Sequence, residues 1–304
     1  MKSKKNGSLM KLENNFKDIE KVTTMKKTGN KVLIATLLLI SFAGKPIDDN
    51  GNNHYVLIET GYGTMKVKLY NETPLHRDNF VALVEKGFYD SLLFHRVISN
   101  FMVQGGDPES KNAPAGKQLG NGGPGYEIDA EFIPTLIHKK GVIAAARESD
   151  QVNPQKKSSG SQFYIVQGQV FNLEQLKQME EKVNFPKRKQ LVFDYILKPE
   201  NKALKQKLDS LQKANDFASL NAAYSEVALK LEPEYQKLEL FHYTEEQKIA
   251  YSTIGGTPHL DQNYTVFGEV IDGLSVIDSI ALVKTDSNNR PLKDVIMKMR
   301  VVEE

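Results

Sequence analysis

Residues 94–107 read FHRVISNFMVQGGD. This one stretch holds a histidine, an arginine, two phenylalanines, a methionine, a glutamine and a Gly-Gly-Asp turn, a mixture for which a plain core strand has no use. Apolar side chains beside a guanidinium and a carboxamide suit a ligand that is greasy but carries carbonyls, which describes a peptide better than a sugar or a nucleotide.

Outward from this stretch the pattern is β. Residues 55–59 and 64–69 flank Gly61-Tyr62-Gly63, and Met65, Val67 and Leu69 alternate with Lys66 and Lys68 as a half-buried strand requires. Thr73-Pro74 is a cap and first-turn pair, Phe80, Leu83 and Val84 have helical spacing, and Gly87 can close that helix in a left-handed conformation. Residues 141–147 (GVIAAAR) and 161–166 (SQFYIV) are short apolar strands joined by a polar stretch. Residues 265–271 (TVFGEVI) form another strand and 274–282 a short helix, and Val295, Met297, Met299 and Val301 alternate on a closing strand. Many short strands and two helices around one core predict a mainly β fold, a barrel.

Three stretches depart from that pattern. Residues 116–125 are glycine-rich but have no strand before them and no helix after, so they predict a surface loop rather than a phosphate-binding loop. Glu127, Asp129 and Glu131 alternate on one face of a strand and are expected to be solvated, not to bind metal. From 172 to 253 helical signals replace the strands. Asn172 with Gln175 and Thr244 with Gln247 have capping-box spacing. Leucines recur at three and four residues, and Pro186, Pro199 and Pro233 are expected to divide the stretch into several antiparallel helices. Its basic and acidic residues balance, so it is no basic clamp.

At 304 residues, 40% of them hydrophobic, the chain can build a real core. The net charge of +2 hides a lysine-rich segment before residue 32 and a slightly acidic remainder, a distribution that does not point to nucleic acid. Cysteine is absent, which excludes disulfides, thiolate metal sites and a cysteine nucleophile. Lys26, Lys27 and Lys31 precede an apolar run at 32–43 that ends in small residues, the pattern of a secretory signal, and too short for a spanning helix. Export, to the periplasm, is expected, with an uncleaved anchor as the alternative; Met1 and Met25 are both candidate starts.

With FHRVISNFMVQGGD, GVIAAAR, SGSQFYIV and HLDQNYTVFGEV in this order, the sequence resembles the cyclophilin family of peptidyl-prolyl cis-trans isomerases. The resemblance covers residues 55–167 and 256–302, and the helical stretch falls between the third and fourth motifs. It implies a closed eight-stranded antiparallel barrel capped by two helices; the helical stretch, which the family's minimal domain does not cover, is then an inserted α-helical subdomain. The expected divisions are a basic tail and signal peptide at 1–44, a linker at 45–54, the barrel at 55–171 and 254–304, and the insertion at 172–253.

The resemblance also assigns roles. Arg96 stands where the family has its catalytic arginine and Gln104 where it has the glutamine that holds it. Phe101, Met102, Tyr164 and Leu260 match the proline pocket, Ala146, Arg147 and Gln162 the peptide groove, and Tyr264 the aromatic or histidine that closes it. His95 is read as a satisfied strand histidine. No metal or cofactor is implied. The expected partners are proline-containing polypeptides, unfolded or partly folded, met by a monomer with no nucleic acid and no membrane span in the mature form. The alternative is a peptide-binding chaperone module, with clients held by barrel and insertion and isomerase activity incidental or absent.

Three positions depart from the family. Tyr164 stands where phenylalanine is usual, so its hydroxyl must leave the pocket or find a partner. His259 occupies a place where some members have tryptophan, and Gln262 replaces a common turn glycine.

Overall fold

The computed structural model describes residues 53–303; the tail, the signal-like run and all but the end of the linker lie outside them. The described residues divide into two compact units, 53–183 with 241–303, and Asn184–Leu240.

The first unit is built on an eight-stranded antiparallel sheet. Its strands are β1 (His54–Thr60), β2 (Gly63–Leu69), β3 (Arg96–Ile98), β4 (Met102–Gly105), β6 (Val142–Ala145), β8 (Phe163–Val166), β9 (Val266–Asp272) and β10 (Met297–Val302), in the order β10-β1-β2-β9-β6-β8-β4-β3. A separate pair joins β5 (Glu127–Ile128) to β7 (Ser158–Ser159). All four residues of β6 and all four of β8 are buried, so both faces of these strands are covered. That is why they appear in the sequence as unbroken apolar runs instead of alternating ones.

The two faces feed two clusters. Val97, Val103, Ile143, Ala145, Phe163, Ile165 and Phe267 point into the main core. There they meet Phe80, Val81, Leu83 and Val84 of helix α1 (Pro74–Glu85) and Val276, Ile277 and Ile280 of helix α7 (Leu274–Ala281). Their neighbours along the strands, Met102, Val142, Ala144, Tyr164, Val166 and Val266, turn to the opposite face and a second cluster. Two helices covering one core match the expectation.

The closed barrel does not. The sheet is a curled eight-stranded layer whose end strands, β3 and β10, form no ladder with each other. A single bridge, Leu93 to Ile296, links the segments that precede them, with Phe94 N–H donating to the Val295 carbonyl at 2.9 Å and Met297 N–H to that of Leu92 at 2.9 Å. β3 is three residues long, and the chain before it carries Ser91 in a left-handed conformation (φ 70°), which a continuous strand cannot contain.

The start of α1 corrects a second expectation. Thr73 precedes the helix, but its side chain caps nothing. The cap is Glu131, whose carboxylate accepts the backbone N–H of Leu75 at 3.1 Å and of His76 at 3.0 Å and lies 2.6 Å from His76 Nδ1. Glu131 is therefore mostly buried, not solvated, because β5 ends at Ile128 and the alternation does not reach residue 131. Asp129 is exposed and pairs with Lys157 at 2.9 Å. Gly87 closes the helix with φ 64°, as expected.

The predicted helical stretch is helical. It contains α2 (Leu173–Leu197), α3 (Lys202–Lys213), α4 (Phe217–Lys230), α5 (Glu232–Tyr235) and α6 (Glu245–Thr253). Both capping boxes form: Gln175 N–H bonds Asn172 Oδ1 at 2.8 Å, and the Thr244–Gln247 box opens α6. Pro199 and Pro233 stand at the starts of new turns, but Pro186 lies inside α2 without ending it. A proline removes one backbone bond; packed turns on either side, Leu176 and Met179 before it and Val192 and Ile196 after it, keep this helix continuous. Val192, Ile196, Leu208, Leu220, Ala223, Val227 and Leu231 form the core of the second unit. Among the described residues no helix is long and apolar enough to cross a membrane.

Since Glu131 satisfies two helix N–H groups from 55 and 56 residues away, Glu131→Ala is expected to cost about 1–2 kcal/mol in urea unfolding. Glu131→Gln should cost less, because one amide oxygen still accepts.

Candidate functional site

The site is laid out by strand register. Arg96 of β3 pairs with Gln104 of β4, Gln104 with Tyr164 of β8, Tyr164 with Ala144 of β6, and Ala144 with Val266 of β9. Cross-strand partners share a face, so these five side chains form one row on the side opposite the main core. Ile98, Met102 and Val166 form the next row.

Polar groups fix the end of the first row. Arg96 Nη1 donates to Gln104 Oε1 at 3.0 Å, and Gln104 Nε2 donates to Gln162 Oε1 at 3.0 Å. Gln162 Nε2 in turn donates to the carbonyls of Gly120 and Gly122 at 2.9 and 2.7 Å. Backbone carbonyls only accept, so the Gln162 amide can point one way only; that forces the Gln104 amide, which then presents its oxygen to the guanidinium. The half-buried Arg96 has its pKa lowered by loss of solvent, yet arginine stays charged at any working pH.

The glycine-rich stretch is thus more than the plain surface loop expected of it, since it supplies the last acceptors of this chain. Asp107, wholly buried, ties it down by accepting from Gly120 N–H at 2.5 Å and Glu109 N–H at 2.8 Å. A side chain at Gly122 would collide with the Asp107 carboxylate, which explains that glycine.

Apolar residues continue the row. Phe101, Met102, Ala146, Tyr164, Leu260 and Tyr264 belong to one cluster. The Phe101 ring stacks on His259 at 5.6 Å, and Tyr164 meets Tyr264 edge to face at 5.8 Å. The Arg147 guanidinium lies over the Tyr264 ring at 4.6 Å and is held by the Asn263 carbonyl and Asp150. Beside the cluster a groove of about 460 Å³ is walled by Gln104, Ala146, Arg147, Gln162 and the glycine-rich loop. All ten residues singled out from the sequence therefore lie on or beside one face of the sheet, where Gln104, Ala146, Arg147 and Gln162 line the groove and Met102, Tyr164 and Leu260 are buried beside it.

Two of the departures resolve. The Tyr164 hydroxyl turns away from the surface to His138 Nε2 at 2.9 Å. Gln262 adopts φ 59°, a left-handed conformation that glycine reaches without cost, so the side chain here carries some backbone strain. The sequence assigns no role to His138, Asp261 or Tyr251, and marks Asp107 only as part of a turn. Their sequence signal is faint: they are single titratable residues beside apolar segments, and the links of His138 to Asp261 and Tyr164 span 123 and 26 residues.

The model of the cyclophilin type peptidyl-prolyl cis-trans isomerase/CLD family matches residues 55–217 and 249–301, more than half of the chain. The chain belongs to that family of isomerases. Among its relatives is a Staphylococcus aureus protein named as a peptidyl-prolyl cis-trans isomerase, 29% identical over 253 residues, which cover 82% of this chain and 91% of the relative. A Streptococcus pyogenes protein named as a bifunctional phosphatase/peptidyl-prolyl cis-trans isomerase is 28% identical over 256 residues, and this chain spans 39% of its length. A solved Cryptosporidium parvum cyclophilin type peptidyl-prolyl cis-trans isomerase aligns over 83% of this chain and 99% of its own, at 19% identity and a TM-score of 0.47.

His95, beside Arg96, is buried but not satisfied: neither ring nitrogen makes a hydrogen bond of good geometry. Burial pushes its pKa down to about 4, against the opposing pull of Asp107. A histidine held neutral in the fold contributes stability that is fully present above its unfolded pKa of about 6.5 and is lost as pH falls through about 4. Urea unfolding across that window is expected to show wild type losing stability faster than His95→Gln as the solution is acidified. Parallel curves would show that His95 is not held neutral.

Proposed function

We propose that the protein catalyses rotation about X-Pro peptide bonds by placing the Arg96 guanidinium beside a proline seated on Phe101, Met102, Tyr164 and Leu260. The observation that carries this reading is the one-way hydrogen-bond chain that holds Arg96 in the same cross-strand row as Tyr164. Two strand spacings, roughly 10 Å, separate their backbones, within reach of an arginine and an aromatic ring extended toward one ligand.

The physics asks for little else. Rotation about the amide is opposed by about 18–20 kcal/mol because it breaks resonance. In the twisted state the prolyl nitrogen becomes pyramidal and recovers its lone pair, and a fixed guanidinium can then donate a hydrogen bond that neither planar ground state accepts. Such an interaction exists only at the barrier and therefore accelerates the step. The apolar cluster grips the ring while Ala146, Arg147 and Gln162 line the path of the preceding residues, and Tyr264 closes the pocket. If pocket and arginine together remove about 7 kcal/mol, the rate rises on the order of 10⁵-fold.

The proposed substrates are proline-containing polypeptides whose folding waits on this rotation. The lysine-flanked apolar run at 32–43 supports exported chains as the clients. The interruption of the family match between residues 217 and 249 supports an insertion within the stretch at 172–253.

The test is proline isomerisation of a short peptide. Arg96→Ala is expected to lower kcat/KM on the order of 10²–10³-fold with the melting temperature nearly unchanged. Arg96→Lys should recover little, because a point charge lacks the planar fork that Gln104 holds. Unchanged turnover in Arg96→Ala would contradict the mechanism.

A further inference from the structure

Behind the cluster that carries Tyr164 lies a polar chain with no part in the mechanism so far. The Tyr164 hydroxyl meets His138 Nε2 at 2.9 Å, and His138 Nδ1 lies 2.9 Å from Asp261 Oδ1, which also accepts the His138 backbone N–H at 2.9 Å. The other carboxylate oxygen, Oδ2, accepts from the Tyr251 hydroxyl at 2.6 Å. His138 and Tyr251 are completely buried, and the Asp261 side chain nearly so. A carboxylate can only accept, so His138 carries its proton on Nδ1; in the neutral ring Nε2 must then accept, and Tyr164 must donate. Asp261 thus sets the direction of every link.

Asp261 is also the residue after Leu260, at the end of the 3-10 turn Pro258–Leu260. It therefore controls two parts of the apolar cluster, Leu260 through the chain and Tyr164 through His138. A second phenol supports the same turn, as Tyr243 donates to the Pro258 carbonyl at 3.1 Å. Both phenols come from α6 and the segment leading into it, and they pack with Phe171 and Leu176 in a small core of their own. The phenylalanine usual at position 164 would leave His138 Nε2 without this donor, so the hydroxyl and its partners form a unit.

We propose that Tyr251, assisted by Tyr243, is a positioning residue of the proline pocket: through Asp261 it fixes the turn that carries Leu260, and through Asp261 and His138 it fixes the Tyr164 ring. The α6 segment thereby serves the binding surface without touching the substrate. This rests on the reading of Phe101, Met102, Tyr164 and Leu260 as that pocket. Its effect falls on how well the proline is held, not on the Arg96 contact, because the side-chain bonds of Arg96, Gln104 and Gln162 run to one another and to the glycine-rich loop and include no side chain of this polar chain.

The experiment is a double-mutant cycle on the full chain, Tyr251→Phe, Tyr164→Phe and the pair, with kcat and KM for a short proline peptide and the melting temperature of each variant. Tyr251→Phe is expected to raise KM about three- to tenfold with kcat nearly constant. In the Tyr164→Phe background the same change should do less, because the route through His138 is already cut and only the route through the Leu260 turn remains. In parallel, nitrogen NMR of the His138 ring without substrate should report the Nδ1-protonated form in wild type and a mixed population in Asp261→Asn. Full additivity of the two phenol deletions, or an unchanged KM in Tyr251→Phe, would overturn the inference while leaving the isomerase reading intact. Absence of turnover in wild type would overturn both.

Discussion

A β-strand must send consecutive side chains to opposite faces, and in the middle of this sheet both faces are occupied to the full. Val103, Phe163 and Ile165 belong to the main core, while Met102, Gln104, Tyr164 and Val166, their immediate neighbours, belong to the candidate site. Core and candidate site are therefore divided residue by residue along β4 and β8. A slip of one position would carry Gln104 and Arg96 into the core and expose Phe163, so the packing that holds the sheet together also enforces the register of the site.

On that surface, orientation is transmitted by groups that can act in one sense only. Two glycine carbonyls fix Gln162, Gln162 fixes Gln104, and Gln104 offers its oxygen to Arg96. Behind the same surface the Asp261 carboxylate imposes a direction on His138 and Tyr164. In each case an acceptor that cannot donate anchors the sequence of bonds, so under the proposed mechanism little reorganisation would be left for the moment when a substrate twists. The arrangement has local costs, among them a left-handed Gln262 and a buried His95 whose ring makes no hydrogen bond of good geometry.

The strands, the two core helices and the helical stretch were legible because each depends on periodicity within a short window. The candidate site residues could be named because they lie in four dense motifs that resemble the cyclophilin family, although the row that gathers them depends on pairing between distant strands. What escaped depends on pairing over distance. Glu131 is exposed or buried according to whether a helix end 55 residues earlier lies beside it, and nothing in the alternation of 127, 129 and 131 reports that. His138, Asp261 and Tyr251 are unremarkable singly and acquire meaning through their contacts. Closure of the sheet failed for the same reason, because a ladder between β3 and β10 needs regular backbone in both end segments, and Ser91 breaks one of them.

The central claim is that a fixed guanidinium, rather than an acid or a base, lowers the barrier. Arginine does not titrate in the working range, and burial keeps the pKa of His95 down to about 4 and that of Tyr164 well above the usual phenol range. The direct measurement is the on-enzyme cis-trans exchange rate of a saturating proline peptide, followed by NMR from about pH 6 to 9. A flat profile is the result this account requires. A rate that follows a single titration with a midpoint of about 6 to 8 would mean that a proton transfer takes part, and would contradict it.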